Sequence, residues 1–104
     1  MSLSVNASTT DAGALVCVTG EVDVSNASEL RDAIDAALAE KPAELRVDLA
    51  EVPYIDSTGI GVLVGAAHRA AESGSKLVVA RPQKNVERVL GLLGVGADLN
   101  IVSE

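Results

Sequence analysis

Three polar residues in a row, Asp56, Ser57 and Thr58, stand directly before an apolar run. Asp, Ser and Thr are the residue types whose side-chain oxygens accept hydrogen bonds from the free N–H groups at a helix start. A hydroxyl in that first turn faces solvent, and a phosphate added to it would meet the positive end of the helix dipole. The segment therefore predicts an ordinary helix cap, the more frequent role of such residues, or a cap that also presents a serine for phosphorylation.

Glycines crowd the beginning of the helix that follows. Gly59, Gly61 and Gly65 each cost about 1 kcal/mol relative to alanine in a helix. Gly61 and Gly65 are four residues apart and therefore lie on one helical face. We expect them to let this helix pack tightly on a sheet, so that the turn at Ser57 is rigid and points outward.

The elements that must position this turn can be predicted from hydrophobic periodicity. The predicted strands cover residues 3–7, 14–18, 45–49 and 76–80, with a short last edge strand at 99–102. The predicted helices cover residues 27–39, about 57–71, and a segment that begins near Pro82 and ends before Gly94. Turn-forming residues at 9–13 make the first two strands an antiparallel hairpin, and strand–helix–strand order makes the third and fourth strands parallel.

Alternation within the third strand predicts how the layers stack. Leu45, Val47 and Leu49 point one way while Arg46 and Asp48 point the other, which places the helices mainly on one face of the sheet. The predicted class is α/β, with a small mixed sheet.

Local spacing also predicts details of the first and third helices. Asn26 and Glu29 have the spacing of a capping box at the start of the first helix. In the third helix, the predicted apolar face consists of Val86, Val89, Leu90 and Leu93.

Composition limits the classes of function that the protein can have. The 104 residues suffice for one domain, and a net charge of −7 argues against binding nucleic acid through its phosphates. The lone Cys17 excludes an internal disulfide and is expected to be a buried, inert thiol. We found no run long enough for a membrane span and no pattern of a signal peptide, which predicts a soluble cytoplasmic protein.

The residues do not form a recognisable catalytic or metal site. The single histidine, His68, lies eleven residues beyond Ser57 on the same predicted helix, roughly 16 Å along its axis, so it cannot activate that serine. One His and one Cys cannot furnish a usual metal-ligand set. The glycines at 59 and 61 lack the third glycine of a dinucleotide fingerprint and the Gly-Lys-Ser/Thr of a phosphate loop. The sequence therefore predicts a binding module, without an enzyme activity, a metal or a cofactor of its own.

Two segments resemble a known family. Asp56-Ser57-Thr58-Gly59-Ile60-Gly61-Val62-Leu63 is similar to the signature of the bacterial anti-sigma factor antagonists, which are single-domain STAS proteins. Thr19-Gly20-Glu21-Val22-Asp23 is similar to the Gly-Glu-Leu-Asp loop of that family. The resemblance covers nearly the whole chain in order, which implies a single STAS domain over residues 1–104.

The resemblance implies a function based on partner switching. In the family, the serine after the aspartate is phosphorylated by the partner anti-sigma factor, a serine kinase that uses ATP and magnesium. Ser57 occupies this position, and Thr58 replaces what is often a second serine. The partner-binding face implied is Glu21, Asp23, Asp56, Ser57, Thr58 and Gly59. A separate PP2C-type phosphatase would reset the switch.

Two alternatives use the same fold. One is a STAS subunit that scaffolds a lipid or solute transporter from the cytoplasmic side, and the other is an interaction domain in a stress-signalling assembly. The absence of an attached membrane region or sensor domain favours the free antagonist, for which a monomer is expected.

Overall fold

The computed structural model describes residues 3–11 and 13–104. The strands are β1 (Ser4–Thr10), β2 (Gly13–Thr19), β3 (Glu44–Glu51) and β4 (Lys76–Ala80). The helices are α1 (Ala27–Ala39), α2 (Ser57–Glu72), α3 (Lys84–Leu92) and α4 (Gly96–Leu99). Ser2, expected beside the first strand, and Ala12 of the predicted turn lie outside the described residues.

The four strands form one mixed sheet in the order β1-β2-β3-β4. The β1–β2 pair is antiparallel, whereas β2–β3 and β3–β4 are parallel and are joined by α1 and α2. Gly13 begins β2 with a φ of +146°, and a Cβ there would lie 2.2 Å from the Glu44 carbonyl oxygen. Glycine is therefore required where the hairpin meets β3. The predicted mixed topology is confirmed.

The main core lies between the sheet and one layer of helices. Leu45, Val47 and Leu49 of β3 are fully buried on that side, while Arg46 and Asp48 are half-buried on the other. The buried side chains of α1 and α2 belong to the same core as those of β3. Burial of such apolar surface is the dominant stabilising contribution, and its placement confirms that the helices cover mainly one face.

The opposite face of the sheet carries an ion pair. Asp48 accepts hydrogen bonds from the Arg81 guanidinium and from the backbone N–H of Ala50. Burial raises the pKa of the Asp48 carboxyl, but the bonds from Arg81 and Ala50 outweigh this and leave the pKa below its ordinary value. Cys17 lies opposite Asp48 in the β2–β3 register and is half-buried, so the prediction of a buried thiol was wrong. Its side chain points away from the helix-covered face.

The C-terminal segment differs from the predicted edge strand. Residues Gly96–Leu99 form α4, and Leu99 is fully buried in the main core. The chain then reverses at Asn100, which has a left-handed φ of +49°. Only Val102 pairs with the sheet, through a parallel bridge to Ala80. Leu99 is thus buried from a helical turn, and most of the predicted strand does not form.

Helix α3 is less buried than its sequence suggests. It begins at Lys84, two residues after Pro82, and Gly94 follows its end with a φ of +71°, as expected of a helix stop. Val86 and Leu90 are buried, but Val89 and Leu93 are 39% and 55% exposed. The predicted four-residue apolar face is therefore correct for two residues only.

Candidate functional site

The site is assembled where the parallel pairing of β2 and β3 continues into their following segments. The Gly20 N–H donates to the Glu51 carbonyl and the Val22 N–H to the Tyr54 carbonyl, both at 3.0 Å. The Asp56 N–H returns a 3.0 Å bond to the Val22 carbonyl. These bonds hold loop 20–26 beside the start of α2. The partner-binding face that the resemblance implies combines this loop with Ser57, and the observed arrangement agrees with that expectation.

Asp56 caps α2 and also fastens the neighbouring loop. Its backbone is extended, with φ −91° and ψ 179°, and its Oδ1 accepts a 3.0 Å hydrogen bond from the Gly59 N–H. Its Oδ2 accepts a 3.1 Å bond from the Val24 N–H, 32 residues away in sequence. An N-cap normally satisfies only its own helix, but here each carboxylate oxygen serves a different segment. The turn before Ser57 is thereby held at two points.

Ser57 and Thr58 are the first two residues of α2, and both are exposed. The unpaired N–H groups of the first turn and the helix dipole make this a favourable position for negative charge. A phosphate on the Ser57 hydroxyl would therefore be compatible with the folded domain. The position is chemically suited to modification from solvent.

Gly59 lies beneath this exposed turn and lets the helix backbone approach Val22 and Ile55 closely. It is buried, and a Cβ added to it would lie 2.7 Å from Val22 Cγ1 and from Ile55 Cγ1. By contrast, a Cβ at Gly61 would meet nothing within 4 Å, and one at Gly65 would contact only the Arg69 side chain. The prediction that Gly61 and Gly65 pack the helix on the sheet was wrong, because these positions do not face the core closely.

The start of α1 does not contain the predicted capping box. Asn26 is buried, and its Oδ1 accepts from the Asp23 N–H while its Nδ2 donates to the Glu21 carbonyl. The Asn26 N–H that Glu29 would have bonded donates instead to the Asp23 carbonyl. Asn26 therefore ties together the loop that precedes its helix.

The two acidic residues of this loop are placed differently. Glu21 is exposed, whereas Asp23 is half-buried and its Oδ1 accepts from both the hydroxyl and the N–H of Ser25. The Ser25 hydroxyl, followed by its N–H, lowers the pKa of the Asp23 carboxyl below its ordinary value. The Asp23 carboxylate is therefore negatively charged at neutral pH.

Two exposed apolar side chains at this site were missed by the sequence analysis. Val24 is 75% exposed and Tyr54 is 50% exposed. Tyr54 and Asp56 flank the buried Ile55 in an extended segment, and so they project away from the core on the same side. The sequence did offer one signal for this exposure. Its single aromatic residue lies in a connection rather than in a predicted helix or strand.

Other candidate chemistry is remote or lacks a ligand set. His68 lies far along α2, with its Nε2 3.9 Å from Asp98 Oδ1, and both side chains are largely exposed. Within residues 3–11 and 13–104 there is no group of three His, Cys, Asp or Glu side chains placed to hold a metal ion. None of the helices in the described part of the chain combines the length and the apolar character of a membrane span.

Comparisons with known proteins identify relatives of this chain. The family model "Mlab, STAS domain" matches residues 5–103. The anti-sigma-B factor antagonist of Bacillus subtilis (strain 168) is 33% identical over 95 residues, which cover 91% of this chain and 86% of that relative.

Solved structures share the fold. An anti-sigma factor antagonist from Mycobacterium paratuberculosis superimposes with a TM-score of 0.89 at 24% identity, covering 99% of this chain and 87% of that one. The Bacillus cell fate determinant SpoIIAA in its phosphorylated form gives 0.72 at 16% identity, covering 99% and 93%.

Proposed function

Because the chain belongs to the STAS domain family, and within it to the anti-sigma factor antagonists, we propose that it binds an anti-sigma factor through the surface around Ser57. Binding takes place while Ser57 is unmodified and releases the sigma factor that the partner had held. Phosphorylation of Ser57 ends the interaction. This activity places the protein in the cytoplasm and requires only one copy of the domain.

The observation that carries the proposal is the exposed hydroxyl at the first residue of α2. Ser57 follows Asp56, whose carboxylate is bonded both to α2 and to loop 20–26. A kinase can therefore reach the hydroxyl from solvent and meets it on a backbone that is already ordered. Preorganisation of this kind reduces the entropy lost when a partner binds.

The modification is a phosphoryl transfer from ATP. The Ser57 Oγ forms a bond to the γ-phosphorus, the bond between that phosphorus and the β–γ bridging oxygen breaks, and ADP leaves with the bridging oxygen. The hydroxyl proton passes to a base of the anti-sigma factor kinase, which also holds the magnesium ion. A separate PP2C-type phosphatase reverses the modification: water attacks the phosphorus, the bond between phosphorus and Ser57 Oγ breaks, Oγ regains a proton, and inorganic phosphate leaves.

Added charge explains how one phosphate reverses binding. A phosphoserine carries about −1.5 to −2 charges at neutral pH. Within the domain, the start of α2 favours this charge by about 0.3–1 kcal/mol. At the interface it adds to the carboxylates of Glu21, Asp23 and Asp56, so that like-charge repulsion and the cost of desolvation oppose docking. The fold can stay unchanged while the contact surface becomes repulsive.

Phosphotransfer tests the proposal. The protein is incubated with candidate anti-sigma kinases and ATP, and the phosphate is located by mass spectrometry. We expect labelling at Ser57, none in Ser57→Ala, and undiminished labelling of Ser57 in the matched control Thr58→Ala.

Binding measurements complete this test. Ser57→Ala is expected to bind the anti-sigma factor like the wild type, and Ser57→Asp to bind at least about tenfold more weakly. Equal binding of Ser57→Asp would count against charge repulsion. Stable binding to a transporter subunit, with no labelling by any kinase, would favour the scaffold alternative instead.

A further inference from the structure

The two edges of the sheet differ in how far the rest of the chain covers them. β4 forms one edge, and the C-terminal segment bonds to it: the Val102 N–H donates to the Val79 carbonyl, and the Arg81 N–H donates to the Val102 carbonyl. β1 forms the other edge. In the part of the chain that the structure describes, β1 pairs with β2 alone, and six of its seven residues are exposed. The sheet is therefore open at β1.

The open edge lacks the features by which proteins usually prevent two edges from pairing. Such features are charged side chains, prolines and bulges in the edge strand. Ser4–Thr10 contains no charged residue and no proline, although the chain carries a net charge of −7. Its seven residues pair with β2 without a register shift. By contrast, β4 begins with Lys76 and is followed directly by Arg81 and Pro82. β1 is thus a regular, uncharged edge.

The register of the hairpin identifies the backbone groups of β1 that remain free. Thr10 pairs with Gly13 across a two-residue connection, and a pair in that position exchanges both of its hydrogen bonds. Hydrogen-bonded and non-hydrogen-bonded pairs alternate along an antiparallel ladder. The even-numbered residues of β1 therefore bond to β2, and the odd-numbered residues direct their N–H and C=O groups to the open edge. These odd-numbered residues are Val5, Ala7 and Thr9.

The free groups are complementary to those of a second copy of the same strand. If two β1 strands run antiparallel and are centred on Ala7, Ala7 lies opposite Ala7 of the second copy, and Val5 lies opposite Thr9 of the second copy. Each of the three pairs exchanges two backbone hydrogen bonds, about six in all. Pairs of β-branched side chains such as Val and Thr are favourable across strands, and no like charges meet.

Helix α1, which packs over β1 and β2, leaves room for this approach. Asp35 of α1 pairs with Arg69 of α2 at 2.8 Å, so this side of α1 faces α2. Ala33 and Ala37 lie two residues before and after Asp35, about 200° around the helix, and hence on the side that faces away from α2. Both are half-buried. Their small side chains allow α1 of a second copy to come close above the paired strands.

We infer that two copies of the domain associate through β1, antiparallel and centred on Ala7, and join their sheets into one continuous sheet. The occupant of the open edge is thus a second copy of this chain. The pairing uses none of the residues around Ser57 and does not depend on the proposed function, for which one copy suffices. The monomer expected from the sequence is then one state of an equilibrium that depends on concentration.

Sedimentation equilibrium from micromolar to millimolar concentration tests the inference on the whole chain. We expect a wild-type dimer that dissociates on dilution. Ala7→Pro removes an N–H that points to the open edge and leaves the bonds to β2 in place, as proline in an edge strand can. It eliminates both bonds of the central pair and should raise the dimer Kd at least about tenfold.

Two lysine substitutions separate the position of a charge from its presence. Ala7→Lys places two positive charges opposite each other at the centre of the pairing and should also raise the dimer Kd at least about tenfold. Ala71→Lys is the matched control, because Ala71 is exposed near the end of α2, which packs on α1 and β4. It should leave Kd unchanged. Thermal unfolding followed by circular dichroism shows whether each variant is folded.

Oxidative cross-linking tests the register, with Cys17→Ser as the background. In the inferred pairing, the two Cα atoms at position 7 are about 5.5 Å apart, a separation that a disulfide can span. Ala7→Cys should therefore form a covalent dimer. Thr9→Cys should not, because its two copies are offset by four residues, about 13 Å along the strands.

Three results would overturn the inference. The first is a wild type that stays monomeric over the whole concentration range. The second is a dimer whose Kd is the same in the folded variants Ala7→Pro and Ala7→Lys as in the wild type, since the contact would then lie elsewhere. The third is a Thr9→Cys variant that cross-links as readily as Ala7→Cys, which would contradict the register centred on Ala7.

Discussion

Helices α1 and α2 begin with the same kind of residue and use it differently. Asn26 and Asp56 are the respective N-caps, and each follows a loop that leaves a parallel strand. Asn26 directs both polar atoms of its side chain back into the loop before its helix. Asp56 directs one oxygen forward to its own helix and the other across to Val24. A capping signal therefore marks a helix start without specifying what the side chain stabilises.

The third helical positions differ in a way that matters for function. Glu29 of α1 is exposed, whereas Gly59 of α2 is buried against Val22 and Ile55. Close packing below Gly59 holds the first turn of α2 on the core while Ser57 remains exposed above it. A modifiable hydroxyl can in this way be both accessible and well ordered.

The largest expected effect comes from filling the space under α2. Gly59→Ala places a methyl group 2.7 Å from the side chains of Val22 and Ile55, both buried, so that the helix start or the loop must shift. We expect the free energy of unfolding to fall by about 1–3 kcal/mol, as for other overpacked cores. Urea denaturation monitored by circular dichroism measures the change.

Gly61→Ala is the matched control in the same helix. Its Cβ meets nothing within 4 Å, and alanine is the better helix former, so the protein should gain up to about 1 kcal/mol. Equal effects of the two substitutions would show that close packing does not distinguish Gly59 from its neighbours.

The next effect tests the start of α1. Asn26→Asp preserves the shape of a buried side chain but removes the N–H donor to the Glu21 carbonyl and places two oxygens opposite each other. A buried group that loses its partner costs about 1–3 kcal/mol, and we expect a loss within that range by urea denaturation.

The same exchange at an exposed asparagine provides the reference. Asn85 also donates a hydrogen bond to a carbonyl, that of Pro53, but it is exposed to water. Asn85→Asp should therefore change stability by no more than about 0.5 kcal/mol. A loss at position 26 no larger than this would mean that Asn26 does not organise the loop.

The periodic parts of the fold could be predicted from the sequence because local patterns specify them. Leu45, Val47 and Leu49 alternate as a strand with one buried face must, and that pattern located the sheet and its helix-covered side. Leu99 was misassigned to a strand, since its burial depends on the side chains that α4 meets in the core and not on the neighbouring sequence. Short apolar segments are ambiguous in this way.

The candidate site shows the same difference between features set by local sequence and features set by distant contacts. The exposed position of Ser57 at a helix start was predicted from adjacent residues, and the structure agrees. The bond from Val24 to Asp56 spans 32 residues, and no local pattern encodes it. Exposure of Tyr54 likewise follows from the parallel bridge that turns Ile55 inward. These features depend on contacts between distant segments and therefore could not be predicted from local sequence patterns.

Apart from the control substitutions, the smallest effect is expected at the N-cap of α2. Asp56→Asn keeps one oxygen that can accept from the Gly59 N–H, but its amide nitrogen cannot accept from the Val24 N–H. Because Val24 is exposed and water can replace the lost acceptor, stability should fall by only about 1 kcal/mol. Hydrogen exchange followed by NMR should show faster exchange at the Val24 amide and little change at the Gly59 amide.

Asp56→Ala is the reference for this substitution, because it removes both acceptors. Both amides should then exchange faster, and the loss of stability should exceed that of Asp56→Asn. If Asp56→Ala instead accelerates exchange at Gly59 alone and leaves Val24 protected, the carboxylate acts mainly as a helix cap. The difference between the starts of α1 and α2 would then be confined to Asn26, and loop 20–26 would be held beside Ser57 by its backbone bonds alone.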